Sequence, residues 1–450
     1  MKNRNLIYTK IFKFDFLLFL LFSALIFYLY SNYINILTWG SDYAGYINLA
    51  LAFSEGRISE YVESRTVLSY YTTTTTEPVY TPVGFPLLIL ATQLIHSWNV
   101  ILIKLITPLI CVGLFFLLIK IFSKNYEKII IFVVMLNPFF IDQFRDITTE
   151  LIALFFLLLG IYFSRFKNIY FFTAVLIRPS YFVFVIIYLF LNYLKKRNLN
   201  EIIYFVFGLF SIQIIFSLIF NINFYGLYLL TETGSTNFSW LFENLLNIDI
   251  SRITFIIYEF GRLFTTISHP INTFVGVVLI FLLIFANNNY SYMSLGFLFF
   301  HIIWFHYDYV RFLLPLAVLV PISFLLKIRN MHLSNYLKNW ILVFTFLLII
   351  PYSLQINNQI DALTLQRGPY QSESQSLFKY INNNYNEGLF SFHSARVFTL
   401  FTKLESYKID EEIIDDTIII CEFRKEQCKL HTNYKLVYEN NLYKVFESKK

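Results

Sequence analysis

The chain has 450 residues, of which 57% are hydrophobic, 20% aromatic and 14% charged, with a mean hydropathy of +0.58 and a formal net charge of +6. Soluble globular domains carry roughly 25% charged residues, so this composition excludes an ordinary soluble domain and indicates a polytopic membrane protein. Most Lys and Arg residues stand in short clusters beside apolar runs. This is the positive-inside pattern, and it argues against a nucleic-acid-binding protein.

The first apolar run, 14–37, follows Lys10 and Lys13 at the N-terminus. It is longer than the hydrophobic segment of a signal peptide and has no clear small-residue cleavage site. We therefore expect it to remain in the protein as a membrane anchor.

At roughly 20 apolar residues per span, with shorter spans allowed inside a bundle, the sequence predicts about eleven transmembrane helices. They lie near 14–37, 99–121, 128–143, 149–164, 168–178, 180–194, 201–222, 268–286, 290–305, 310–326 and 339–353. With the N-terminus in the cytoplasm, four of the five cytoplasmic loops are basic and the C-terminus is extracytoplasmic.

The fifth and sixth predicted spans are separated at Arg178-Pro179. Pro179 has no backbone N–H to donate, and Arg178 would be costly in the middle of a bilayer. We therefore predict a break with Arg178 near the outer surface. A single helix there would instead reverse the orientation of every later span.

Two outer loops are long, 38–98 and 223–267, and both are predicted to carry short helices on the membrane surface. From about residue 354 the composition turns polar. A helix beginning at Leu377 is followed by strand-like runs at 417–420 and 434–438. The sequence therefore predicts a membrane domain over 1–353 and a small α+β extracytoplasmic domain over 354–450.

The chain has three cysteines: Cys111 in an apolar run, and Cys421 and Cys428 in the C-terminal domain. If that domain lies on an oxidising side, the last two could form a disulfide. Two free thiols are the alternative.

Chemistry-bearing residues recur at the predicted outer ends of the spans, whereas no phosphate-binding glycine loop, dinucleotide fingerprint, zinc spacing or nucleophile elbow stands out. They are Asp42, Arg145, Asp146, Glu150, Arg178, His306, Asp308 and Arg311. Each has a structural alternative: an interfacial acid, a charge at a helix N-terminus, a snorkelling arginine or a packed histidine. Their convergence on one side favours chemistry at the outer membrane surface.

Five short motifs, in chain order, carry a resemblance to a known family. They are Asp42-Tyr43-Ala44-Gly45-Tyr46 with the segment running on to Gly56, then Tyr80-Thr81-Pro82-Val83-Gly84-Phe85-Pro86, then Asn137-Pro138 with Arg145 and Glu150, then Leu176-Ile177-Arg178-Pro179, and Arg311-Phe312-Leu313-Leu314-Pro315. With them the chain resembles the membrane-embedded GT-C glycosyltransferases, in particular the branch of protein O-mannosyltransferases and the lipid A aminoarabinose transferase. It departs from that branch at Tyr43, where many relatives have a second acid, and at Phe312, where Tyr is usual.

The resemblance implies an all-α GT-C-like membrane fold and an inverting enzyme. Such an enzyme moves a sugar from a polyprenyl-phosphate carrier to an acceptor glycan, lipid or protein at the extracytoplasmic face. It implies Asp42 as general base and Arg178 and Arg311 as groups that bind the donor phosphate, because the leaving phosphate needs cations more than a proton.

The same resemblance implies substrate binding by Asp146, Glu150 and Tyr80. Asp146 and Glu150 would bind sugar hydroxyls or a metal ion or position Asp42, and Tyr80 would line the acceptor or lipid groove, although aromatic packing explains Tyr80 at least as well. It leaves the cofactor undetermined, with a divalent cation as one alternative. The expected partners are the lipid-linked donor, the acceptor and membrane lipids, with no nucleic acid. The abundance of Asn, Ile, Lys, Phe and Tyr is typical of an AT-rich genome, and we expect a bacterial plasma membrane.

Two other functions fit the same composition. One is a glycan-lipid transporter or flippase with Arg178 and Arg311 in a polar pathway, and the other is a lipid-linked glycan polymerase or ligase. A transporter needs ionisable groups near mid-membrane. Because the predicted spans are nearly free of charge apart from Lys104, the sequence favours surface chemistry over transport.

Overall fold

The computed structural model describes most of the chain. The described residues are 2–34, 36–37, 42–56, 83–93, 100–197, 199–220, 245–246, 248–266, 270–303, 309–331, 334–364, 368–407, 417–422 and 434–448. Within these ranges the protein is mostly helical and ends in a small sheet.

The helices are α1 (Lys2–Ser31), α2 (Asp42–Glu55), α3 (Gly84–Gln93), α4 (Val100–Lys104), α5 (Ile106–Ile121), α6 (Asn125–Val134), α7 (Pro138–Asp142), α8 (Glu150–Tyr162), α9 (Lys167–Ile177), α10 (Tyr181–Lys196), α11 (Asn200–Phe220), α12 (Ile250–Thr265), α13 (Ile271–Ala286), α14 (Asn289–Ile303), α15 (Tyr309–Leu313), α16 (Leu316–Asn330), α17 (Asn335–Leu347), α18 (Ile349–Thr364), α19 (Ser372–Asn384) and α20 (Ala395–Thr402). The strands are β1 (Leu389–Ser391), β2 (Glu405–Tyr407), β3 (Ile418–Glu422), β4 (Tyr434–Glu439) and β5 (Tyr443–Ser448).

The chain forms two compact units. Unit 1 comprises Met1–Ile34, Val100–Ile212 and Asn237–Thr364, and unit 2 comprises Asn35–Asn99, Gln213–Thr236 and Leu365–Lys450. Helix α18, in unit 1, runs through the predicted domain boundary at residue 353.

Several helices of unit 1 are compatible with a membrane protein. In the described ranges, four stretches are long and apolar enough to cross a bilayer: Phe14–Ser31, Val100–Ile121, Val310–Asn330 and Tyr336–Asp361. The predicted number of eleven spans is not confirmed. Several of the other predicted spans are shorter helices, such as the 16 residues of α13, about 24 Å long against a hydrocarbon core of about 30 Å.

The predicted span near 128–143 consists of two helices, α6 and α7. Pro138 has no backbone N–H for a continuous helix, and the Asn137 side chain accepts a hydrogen bond from the N–H of Phe139 at 2.9 Å. A new helix, capped by Asn137, therefore starts inside the predicted span and interrupts it. The break predicted at Arg178-Pro179 is confirmed, since α9 ends at Ile177 and α10 begins at Tyr181.

Aromatic rings fill much of the core of unit 1. Phe22 of α1 stacks on Phe115 of α5 with ring centroids 4.0 Å apart, and Phe184 of α10 stacks on Phe297 of α14 at 3.9 Å. All four rings are buried. Apolar burial between neighbouring helices therefore fixes the arrangement that the site depends on.

Unit 2 combines the C-terminal sheet with helices from the first long loop. The sheet has the order β2-β1-β3-β5-β4, with β1 parallel to β2 and β3, and β5 antiparallel to β3 and β4. The predicted strands near 417–420 and 434–438 and the hairpin at Asn440 are confirmed. Helix α19 packs its Leu377 and Phe378 into the sheet's apolar core.

Cys421 on β3 is disulfide-bonded, and Cys111 is a free, buried thiol. Cys428 lies outside the described residues. Of the two alternatives left open for the C-terminal domain, the structure therefore favours the disulfide.

Helices α12 and α13 pack backbone against backbone at two glycines. A Cβ atom on Gly276 would lie 2.1 Å from the carbonyl oxygen of Ile257, and a Cβ on Gly261 would lie 1.9 Å from that of Asn272. Carbonyl groups of a packed helix cannot move aside as a flexible side chain can, so glycine is required at both positions.

We expect Gly276→Ala to lower the midpoint of thermal unfolding of the purified protein by several degrees, because the added methyl group forces the two helices apart at a cost of about 1–3 kcal/mol. Gly113→Ala is the matched control, since its Cβ would lie 3.4 Å from the Phe155 ring. The control should leave the midpoint nearly unchanged. Equal losses in both variants would contradict this account of the α12–α13 contact.

Candidate active site

Three predicted site residues of unit 1 come together in one cluster. Glu150 is the first residue of α8, Arg178 directly follows α9, and Arg311 lies in α15. We call these three residues the Glu150 cluster. They are separated by up to 161 positions in sequence, so only the packing of the helices makes them neighbours.

A sharp bend between α8 and α9 explains how Glu150 and Arg178 come into contact. The two helices, joined by a 3-10 turn at Ser164–Phe166, are bent by 110° relative to each other. Their 13 and 11 residues correspond to about 20 Å and 17 Å of helix. Because Glu150 begins the pair and Arg178 follows it, their contact means that the pair is a hairpin with both ends on one side of unit 1.

The carboxylate of Glu150 is buried, with 2% of the residue exposed, and it is held from several directions. Oε1 accepts a hydrogen bond from Arg311 Nε at 2.6 Å and lies 3.5 Å from Arg178 Nη2. Oε2 accepts from the backbone N–H of Thr149 at 3.0 Å. These contacts stabilise the ionised carboxylate despite its burial.

The arginines are themselves fixed by aromatic neighbours and by the hairpin. The Arg178 guanidinium carbon lies 4.7 Å from the centre of the Phe312 ring. Tyr181, the first residue of α10, donates its hydroxyl proton to the Glu150 backbone carbonyl at 2.8 Å. The side chain of Arg178 is 8% exposed and that of Arg311 is 25% exposed, so Arg311 is the more accessible cation.

Two guanidinium groups and one carboxylate give the Glu150 cluster a formal charge of +1. Planar guanidinium groups suit the geometry of phosphate and carboxylate oxygens, and their attraction for an anion is strong where water is excluded. The cluster can therefore hold a phosphate-bearing ligand through Arg311, with Glu150 keeping the arginines in place.

Asp146 pairs with its neighbour Arg145. Its carboxylate lies 3.4 Å from Arg145 Nε, and Arg145 Nη1 lies 3.6 Å from Asp142. Asp142, Arg145 and Asp146 remain partly exposed, with 27%, 33% and 19% of their side chains accessible. The loop between α7 and α8 thus carries a second charged group of residues.

Asp42 is the first residue of α2 in unit 2, and the structure describes its backbone but not its side chain. Tyr80, His306 and Asp308 lie outside the described residues. The catalytic role of Asp42 and the substrate-binding role of Tyr80 remain predictions. Helix α2 packs against α3, where the rings of Tyr46 and Phe85 are 5.3 Å apart, and against α20 of the C-terminal domain.

Lys104 and Tyr181 belong to this region although the sequence analysis assigned neither a role. Lys104 is fully buried, and its ammonium group donates a hydrogen bond to the backbone carbonyl of Tyr33. The sequence did mark Lys104 as a candidate, because it is a single cation inside an apolar stretch. Nothing in the sequence marked Tyr181 as a neighbour of Glu150, because the two residues are 31 positions apart and only the fold brings them together.

Within the described ranges, no group of three or more His, Cys, Asp or Glu side chains is arranged to hold a metal ion. The comparisons with known proteins add no family: no protein-family model matches this chain, and no curated protein matches it. The GT-C resemblance therefore rests on the five motifs alone.

We expect Glu150→Gln to destabilise the protein by about 3 kcal/mol, because it removes the buried carboxylate that lies 3.5 Å from the buried Arg178 guanidinium. Thermal unfolding of the purified protein measures the loss. Glu439→Gln is the matched control, since the Glu439 side chain is 44% exposed and forms a surface ion pair with Lys444 at 3.2 Å. A pair of that kind contributes less than about 1 kcal/mol, and a loss as large as in Glu150→Gln would contradict the special role of Glu150.

Proposed function

We propose that this protein is an integral-membrane glycosyltransferase of the GT-C type. It transfers a sugar from a polyprenyl-phosphate carrier to an acceptor glycan, lipid or protein at the extracytoplasmic face of the plasma membrane, with inversion at the anomeric carbon. Asp42 is the general base, Arg178 and Arg311 bind the donor phosphate, and Glu150 positions both arginines.

The observation that carries the proposal is the Glu150 cluster. Two arginines from separate parts of unit 1 converge on one buried carboxylate, with Arg311 partly exposed and the cluster positively charged. A lipid-linked sugar phosphate carries its negative charge at the membrane interface. Cationic side chains near the ends of helices can bind it there. The convergence supports an anion site at the position that the resemblance assigns to the donor phosphate.

In the proposed reaction, Asp42 takes the proton of the acceptor hydroxyl as its oxygen attacks the anomeric carbon. The bond from that carbon to the phosphate oxygen breaks, and its electron pair stays on the phosphate. The leaving group changes from a monoanion to a dianion, so the arginines interact more strongly with the product side of the reaction than with the substrate. The acceptor proton remains on Asp42 until solvent removes it.

Two further observations support the proposed sidedness. The disulfide at Cys421 is typical of an oxidising compartment and so supports an extracytoplasmic C-terminal domain. Lys195 and Lys196 lie at the end of α10 opposite Arg178, consistent with a cytoplasmic end there.

The proposal predicts that cells lacking this protein accumulate a polyprenyl-phosphate monosaccharide, because the donor is made but not consumed. Mass spectrometry of the polyprenyl-linked lipids measures this, and the mass identifies the class of sugar. Complementation with Asp42→Asn or Arg311→Gln should leave the donor at least tenfold above the wild-type level.

Arg329→Gln is the matched control for the arginine variant, since Arg329 is an exposed residue at the end of α16. It should restore the wild-type lipid pattern. If Asp42→Asn also restores that pattern, Asp42 is an interfacial acid and not the base. A null strain that accumulates no such lipid contradicts the proposed function and favours the transport alternative.

A further inference from the structure

Several helix ends of unit 1 are joined to one another by polar contacts between side chains. Lys167, at the tip of the α8–α9 hairpin, lies 2.5 Å from the carboxylate of Glu201 at the start of α11. Lys195, near the end of α10, donates a hydrogen bond to the side-chain oxygen of Asn289 at 2.9 Å. Asn289 is the first residue of α14. The hairpin tip, the α10–α11 connection and the start of α14 therefore lie at one end of unit 1.

The same surface continues through α16 to helices α6, α1 and α5. Asn288, just before α14, donates a hydrogen bond to the backbone carbonyl of Ser323 in α16 at 2.9 Å. The charge at the end of α16 acts on Tyr126 in the first turn of α6, and these two helices pack together. Also on α6, the ammonium of Lys128 lies 2.5 Å from the carboxylate of Asp15 in α1. We call the surface that joins these helix ends the basic rim.

Three cations of the basic rim lie over aromatic rings that are open to the surroundings. The pairs are Lys120 with Phe116, Arg165 with Phe166 and Lys327 with Phe285, with 5.3 Å, 5.3 Å and 4.6 Å between the cationic group and the ring centre. The three phenylalanines are 47%, 49% and 55% exposed, in the same order. Each pair thus presents an apolar ring with a positive charge at its edge.

Carboxylates compensate these three cations only weakly. Within the described residues, Arg165 and Lys327 have no carboxylate within 4.0 Å. Lys120 is 4.0 Å from the carboxylate of Asp15, which Lys128 approaches more closely. The charge of the three cations is therefore available to an external anion.

A membrane interface suits both parts of each pair. An exposed phenylalanine ring is stable at the boundary of the acyl chains, and a lysine or arginine side chain can extend from there so that its charge reaches the headgroups. Anionic phospholipids supply the negative charge at that depth, and they are abundant in the cytoplasmic leaflet. The concentration of basic residues at this end favours the cytoplasmic side.

We propose that the basic rim binds anionic phospholipid headgroups of the cytoplasmic leaflet through Lys120, Arg165 and Lys327. Arg165 follows the end of α8 that is opposite Glu150, and Lys195 is at the end of α10 opposite Arg178. The basic rim is therefore distinct from the Glu150 cluster. The inference does not depend on the proposed transfer reaction, and the failure of either leaves the other standing.

The test is native mass spectrometry of the purified full-length protein with phosphatidylglycerol and, separately, with phosphatidylcholine, which has no net charge. We expect the wild type to bind phosphatidylglycerol at least about tenfold more strongly, because several cations attract its phosphate. Lys120→Gln, Arg165→Gln and Lys327→Gln should each weaken that binding about fivefold. Phosphatidylcholine binding should stay unchanged in all three variants, which reports that their lipid-facing surface is intact.

Lys379→Gln is the matched control, since Lys379 is an exposed residue of α19 in unit 2. It should leave phosphatidylglycerol binding unchanged. Lys120→Arg and Lys327→Arg keep the charge and should keep the binding. Equal affinity of the wild type for the two lipids, unchanged binding in the three glutamine variants, or loss of binding in the arginine variants would each overturn the inference.

A second measurement tests the side of the membrane. Ser123 is exposed in the connection between α5 and α6, close to Lys120 in sequence. A membrane-impermeant maleimide should label Ser123→Cys only after the cells are permeabilised. The wild type controls for the native thiols, since Cys111 is buried and Cys421 is disulfide-bonded. Labelling of Ser123→Cys in intact cells would place the basic rim outside and overturn its assignment to the cytoplasmic leaflet.

Discussion

The burial of one carboxylate between two guanidinium groups is the constraint on which the site of unit 1 depends. An arginine as buried as Arg178 cannot stay charged at acceptable cost without a nearby anion, and Glu150 supplies it at 3.5 Å. The same carboxylate accepts from Arg311 at 2.6 Å. The Glu150 carboxylate therefore connects the α8–α9 hairpin to α15.

The loop between α7 and α8 links two electrostatic environments. At one end the two arginines of the Glu150 cluster share one carboxylate, and along the loop Arg145 lies 3.4 Å from Asp146 and 3.6 Å from Asp142.

Unit 2 joins parts of the chain that are more than 300 positions apart. Helix α2, which begins at Asp42, packs against α20. Helix α20 is the chain segment that joins strand β1 to strand β2 of the C-terminal sheet. If Asp42 is the base, the C-terminal domain supports the helix that carries it. Composition separated the domains at residue 353, but it could not reveal this packing, because hydropathy records each segment's environment and not its partner.

The sequence by itself predicted a membrane protein, with which the long apolar helices are compatible, and it determined the apolar stretches, the helix break at Arg178-Pro179 and the α+β character of the C-terminal domain. Each follows from local rules: apolar length, the missing N–H of proline and alternation along strands. It also singled out Arg178, Arg311 and Glu150 as separate charges near helix ends. Only the tertiary structure decided that Glu150 pairs with the two arginines, because those contacts depend on how helices bend and pack across up to 161 positions of chain.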